Sequence, residues 1–154
     1  MADERIAIDD PGAADIRALI AQHRSFAASL SPPQNVSALD AGDLRDPDVT
    51  MYSFRRGGEL LGIGALRHLD ARDCEIKSMH TVQAARRSGV GRAMLAHLIG
   101  VARERGYQRV SLETGSMAGF APARALYASA GFTECGPFGD YPASSYSTFM
   151  SLAL

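Results

Sequence analysis

One stretch, residues 75–106, constrains this chain more than any other: an apolar run, a glycine-bearing turn and an amphipathic run follow one another without a break. The opening Glu-Ile-Lys-Ser-Met-His-Thr-Val holds Ile76 and Val82 and carries no Gly or Pro, which predicts a strand. Val90, Met94, Leu98 and Val101 then recur at helical spacing, and Gly106 stands where a C-terminal stop belongs. Between the two, Arg86, Arg87, Ser88, Gly89, Val90, Gly91 and Arg92 form a turn that opens straight into the helix. The first turn of a helix leaves its N–H groups free and carries the positive end of the dipole, so it attracts anions. Gly89 and Gly91 lack the side chains that would hold a phosphate away from those groups. The pattern predicts a cradle for a pyrophosphate.

Length and charge bound the alternatives. A chain of 154 residues, 46% hydrophobic, is expected to form one domain (residues 1–154) with a full core. A net charge of −1 gives no support to nucleic acid as a partner. Cys74 and Cys135 offer neither a disulfide framework nor metal-ligand spacing, so no metal is expected. No signal peptide and no apolar run of membrane-spanning length is found, and the expectation is a soluble cytoplasmic protein without a membrane partner.

Around the central stretch the chain reads as follows. Residues 5–8 suggest a short first strand, and Asp10-Pro11 starts a helix through Ile16, Leu19, Ile20 and His23, with His23 taken as a partly exposed flank. Ser31-Pro32-Pro33 breaks it, and residues 36–44 are read as another short helix. Residues 49–55 and 60–69 are strand-like and joined by the hairpin turn Arg56-Gly57-Gly58-Glu59. Residues 109–113 form a further strand, 122–130 a helix ended by Gly131, and 132–135 and 146–152 the last two strands. The expected class is α+β, a mostly antiparallel mixed sheet of six to seven strands with about four helices.

Two phosphate-binding folds fail on the residues. A dinucleotide fold needs a third glycine where Met94 stands, and a hairpin ahead of the turn does not suit a doubly wound sheet. A nucleoside-triphosphate loop needs a lysine after the glycines, and none is there. The element order and Arg86-x-x-Gly89-x-Gly91, with Ala125-Leu126-Tyr127-x-x-x-Gly131-Phe132 further on, instead resemble the GCN5-related N-acetyltransferases. Within that family the chain is similar to a bacterial group sharing Glu75-Ile76-Lys77-Ser78-Met79 and Leu112-Glu113-Thr114-Gly115-Ser116-Met117, some members of which are labelled indole-3-acetic acid acetyltransferases.

The resemblance implies the family fold, acetyl-coenzyme A as cosubstrate and transfer of its acetyl group to an amine of a small molecule or a peptide N-terminus. It implies that the turn from Arg87 to Arg92 holds the pyrophosphate. It also implies that the strand ahead of the turn splays from its neighbour, so that Met79, His80 and Thr81 pair with pantetheine and polarise the carbonyl. Phe120 stands where many members place an Asn beside pantetheine, and the segment between Glu113 and Tyr127 is two residues longer than in the simplest members. Tyr127 matches the general acid for the departing thiolate. Glu75 and Glu113 compete as general base, each matching a base in a different branch, with His80 a third titratable group on the strand. Family habit also implies a homodimer, with residues 146–152 as an interface edge. Two other readings stand beside the enzyme: a coenzyme A-binding regulator without chemistry, and an acetyltransferase acting on charged tRNA.

Overall fold

The computed structural model describes residues 3–154. Its strands are β1 (Glu4–Ile8), β2 (Val49–Arg56), β3 (Glu59–His68), β4 (Asp73–Thr81), β5 (Arg109–Gly115), β6 (Thr133–Cys135) and β7 (Ser147–Ala153). Its α-helices are α1 (Ala14–Leu30), α2 (Val90–Glu104) and α3 (Ala121–Ser129). The strands form one sheet in the order β1-β2-β3-β4-β5-β7-β6, antiparallel everywhere except between β4 and β5.

Each face of the sheet buries its own cluster. On one, Ile16, Leu19 and Ile20 of α1 pack with Leu44, Met51, Ile63 and Ala65. On the other, the α2 stripe of Val90, Met94, Leu95 and Leu98 packs with Leu66, Ile76, Val110 and Leu112, joined by Tyr127 of α3. This is the helical periodicity of the sequence put to use, one apolar stripe against one sheet face. The helix lies close because β3 offers Gly64 beneath it, where a Cβ would come within 2.8 Å of Met94 Cγ. At the far end, Gly106 turns left-handed with φ 82° while its N–H bonds Arg103 O and that of Tyr107 bonds Ala102 O, a Schellman stop.

Two irregularities of β4 prepare the site. Its parallel ladder with β5 covers only Asp73, Cys74 and Glu75, so from Ile76 onward the two strands diverge. Opposite β3, Lys77 pairs with Ala65 and His80 with Ile63, leaving Ser78 and Met79 against the single Gly64. This is a bulge, and Ser78 takes it up with φ 57°, an uncommon value for a residue with a side chain. Positions three apart on a regular strand face opposite sides. The bulge removes that alternation, and Lys77 and His80 both point to the α1 side, where they reach Ser37 and His23.

Two expectations are corrected. Residues 36–44 do not form an α-helix. The segment runs between 3₁₀ turns at Pro33–Asn35 and Asp43–Arg45, the second closed by reciprocal bonds between the side chains and backbone N–H groups of Asp40 and Asp43. Such local side-chain bonds compete with a helix, and three α-helices result. The last strand is not the outermost one, because β7 lies between β5 and β6, with residues 149–151 paired on the β6 side.

Candidate active site

On the α2/α3 side an open groove of about 720 Å³ runs from the glycine turn to the splay. Gly89 caps α2 with φ 91° and Arg87 precedes it with φ 63°, which bends the chain so that successive N–H groups face outward. Among the described residues, no oxygen accepts from the N–H groups of Gly89, Val90, Gly91 or Arg92; the first helical bond is Ala93 N–H to Gly89 O. Ser88 turns its hydroxyl inward to Ala85 O, and the Val90 side chain is buried in the core, so neither side chain lines the groove. Arg86, Arg87 and Arg92 supply positive charge along the wall. A Cβ at Gly91 would stand 3.4 Å from Leu126 Cδ2, narrowing the groove floor. Four free N–H groups, a helix dipole and three guanidinium groups fit a diphosphate.

On the α1 side lies a second, smaller cavity of about 130 Å³, between the diverging strands and the α1 end. Met79, His80, Phe120, Ala123 and Tyr127 border both spaces, so the splay is a window through the sheet with Tyr127 beside it. The Tyr127 hydroxyl is buried, and burial, reinforced by the charge of Glu113, pushes its pKa up to about 12. Glu113 lines the smaller cavity and accepts a 2.8 Å hydrogen bond from Ser147 Oγ. Burial holds its carboxyl above the ordinary range, against the opposing effects of that bond and of Lys77.

Glu75 sits elsewhere. It is buried behind the cavity wall, accepting a 2.5 Å hydrogen bond from Tyr141 Oη, with Lys77 Nζ 3.6 Å away. Lys77 donates to Tyr141 Oη at 2.7 Å and to Ser37 O at 3.1 Å, and it lines the cavity while Glu75 and Tyr141 do not. Burial and the Glu75 charge drive the Tyr141 phenol well above its ordinary pKa, so it stays a donor to the carboxylate.

The wall facing the window is aromatic. His23 and His80 meet Nδ1 to Nδ1 at 3.1 Å, one ring donating to the other, and burial pulls both pKa values down to about 4. Phe26 stacks edge-on against Phe120, whose ring in turn occupies the space over Gly115 where a Cβ would go. Arg124 fixes the loop carrying Phe120 by donating to Gly115 O at 2.7 Å and Met117 O at 2.9 Å.

The acetyltransferase (GNAT) family profile matches residues 16–132, which include both strands of the splay, the glycine turn and Tyr127. The chain belongs to the GNAT family. An uncharacterized N-acetyltransferase of Bacillus subtilis, YsnE, is 46% identical over 97% of this chain and 99% of its own. The IAA acetyltransferase of Azospirillum brasilense is 32% identical over the full length of both chains. A crystal structure of a proposed acyl-CoA N-acyltransferase from Klebsiella pneumoniae superposes with a TM-score of 0.80 at 28% identity, covering 98% of this chain and 97% of that one. The seven-stranded mixed sheet is thus the GNAT fold, and this GNAT chain is an acyltransferase.

Sequence and site meet unevenly in it. Met79, His80, Thr81, Arg86, Arg87, Gly89, Gly91, Arg92 and Phe120 border the groove. Tyr127 borders the groove and the cavity, and Glu113 the cavity alone. Glu75 borders neither. Sequence reasoning missed His23, Phe26, Lys77, Ser78 and Tyr141. Lys77 did carry a signal, being the only lysine in the chain and placed in an apolar strand.

Proposed function

We propose that this GNAT enzyme uses acetyl-coenzyme A as donor and passes the acetyl group through the window to a compact amine held in the α1-side cavity. The observation that carries this reading is the pair of spaces meeting at Tyr127, one built for a diphosphate and the other bearing a carboxylate. The free N–H groups of the turn and the arginines beside them hold the pyrophosphate. The pantetheine arm lies along the groove towards Met79, and β4 residues past Ile76, which lack a strand partner on that side, pair with it and polarise the thioester carbonyl.

Glu113 is the base in this scheme. Its carboxylate faces the acceptor, whereas that of Glu75 is already taken by Tyr141 and Lys77. It removes a proton from the ammonium, directly or through a water, and the nitrogen lone pair attacks the carbonyl carbon. The carbon–nitrogen bond forms, the carbon–sulfur bond breaks, and its electron pair leaves on sulfur. Tyr127 donates a hydrogen bond to that sulfur. Burial holds the phenol in its protonated form, so Tyr127 acts as a hydrogen-bond donor to the departing thiolate.

Coenzyme A is expected to raise the melting temperature, since a ligand at a hundredfold excess over Kd adds about 2.7 kcal/mol to the native state. Release of free thiol from acetyl-coenzyme A in the presence of an amine panel tests the transfer. No thermal shift with millimolar coenzyme A, or no thiol released by any amine, contradicts the reading.

A further inference from the structure

Two residues that line the α1-side cavity carry polar groups the fold does not fully satisfy. Lys77 Nζ has three N–H donors and uses two, on Ser37 O and Tyr141 Oη; Glu75 at 3.6 Å lies beyond hydrogen-bonding reach. Next to it, Ser78 Oγ is buried and, among the described residues, has no hydrogen-bond partner. Both residues line the cavity. An unsatisfied buried hydroxyl destabilises a fold, and this one sits on a backbone held at φ 57° by the bulge. Such groups persist where a ligand completes them.

The charges are arranged to match. From inside the cavity Lys77 is in view and its counter-ion Glu75 is not, while Glu113 stands on the wall formed by β5. Lys77 and Glu113 are not joined by any ion pair among the described residues, so a gap separates a cation from a carboxylate. A ligand bridging that gap carries an anion at one end and an ammonium at the other. The cavity, about 130 Å³, admits only a compact one.

We propose that the acceptor is a small α-amino acid, its carboxylate held by the free N–H of Lys77 and the hydroxyl of Ser78 and its amine turned towards Glu113. The inference rests on the acetyl-transfer reading and names the substrate class of the same site. The Glu75–Tyr141–Lys77 network then has a purpose beyond stability. It fixes the ammonium at the wall, keeping its charge balanced when the cavity is empty, and Glu75 is a positioning residue.

The test uses purified enzyme, acetyl-coenzyme A and matched sets of amines: serine, serinamide and ethanolamine, with the corresponding set for glycine. A charge-assisted hydrogen bond to the carboxylate is expected to raise kcat/KM for the amino acid roughly tenfold or more over its amide and its decarboxylated amine. The comparison is strict, because the amide's amine gives up its proton more easily and starts with an advantage. Lys77→Met should collapse the preference, and Ser78→Ala, which leaves the buried ion pair intact, should narrow it even if the lysine variant fails to fold. Wild-type turnover of serinamide or ethanolamine equal to that of serine overturns this inference alone. So does a preference that survives Ser78→Ala undiminished. If coenzyme A binds but no amine at all releases thiol, the acetyl-transfer reading falls and this inference with it.

Discussion

The two sides of the splayed sheet are built on opposite plans. The groove on the α2/α3 side draws its anion site from one continuous segment, residues 86–92, and uses backbone N–H groups. The cavity on the α1 side draws its polar groups from α1, the loop after it, β4, β5 and the loop before β7, and uses side chains. A backbone cradle binds what every family member binds, since any sequence with the right turn supplies the same N–H groups. A side-chain cavity is free to change its ligand by single substitutions. On the proposed reading, cofactor and acceptor are recognised by separable parts of one fold that meet at the window beside Tyr127.

The largest effect should come from the backbone side. Gly91→Leu is expected to weaken coenzyme A binding roughly a hundredfold or more, because two or more charge-assisted bonds from the turn are displaced. Calorimetric titration checks this, and the fold should survive because a Cβ there meets only ordinary contacts at 3.4 and 3.7 Å. Next comes the window. Tyr127→Phe should lower kcat and kcat/KM together by roughly a hundredfold, since the hydrogen bond to sulfur strengthens as the carbon–sulfur bond breaks. Coenzyme A affinity, measured on the same variant, should stay within about twofold of the parent.

A third effect sharpens the contrast from the acceptor side, through stability. His23 and His80 have folded-state pKa values near 4 against 6.5 for the free side chain, so the unfolded chain binds more protons between those limits. The pair's contribution to stability is therefore fully present above pH 6.5 and is lost as pH falls towards 4. The melting temperature should decline across that window, and less steeply in His80→Gln. Asp9 and Asp15, whose carboxyls are held below the ordinary range, add their own losses only at lower pH. An equal decline in the variant would remove the histidine pair as its cause.

The same contrast explains what the sequence revealed. The strand, turn and helix of residues 75–106 were legible because periodicity, glycine and helix-end signals lie side by side, and the groove follows from them directly. The hairpin at residues 56–59 and the α2 stop were legible for the same reason. The segment at 36–44 was not, since its apolar spacing imitates a helix while the bonds between Asp40 and Asp43 close a tighter turn. The acceptor cavity was hidden by distance: Glu75 meets Tyr141 across 66 residues and His23 meets His80 across 57. The Ser78 bulge was hidden too, because nothing in Lys-Ser-Met-His marks the extra residue, yet it decides that His80 faces the same side as Lys77. Glu75 and Glu113 looked equivalent in sequence; burial behind Lys77 and exposure to the cavity separate them.

The most direct test of two separable sites is Glu113→Gln, measured for coenzyme A affinity and for the pH dependence of kcat/KM with an amine that the enzyme acetylates. Unchanged coenzyme A binding and loss of the acidic limb are expected. In the parent, that limb should lie above the ordinary carboxylate range, since burial raises the Glu113 pKa and activity appears as pH climbs through it. Glu75→Gln, run beside it, should keep the limb. A limb that persists in Glu113→Gln, or coenzyme A binding that fails together with turnover, would contradict the account.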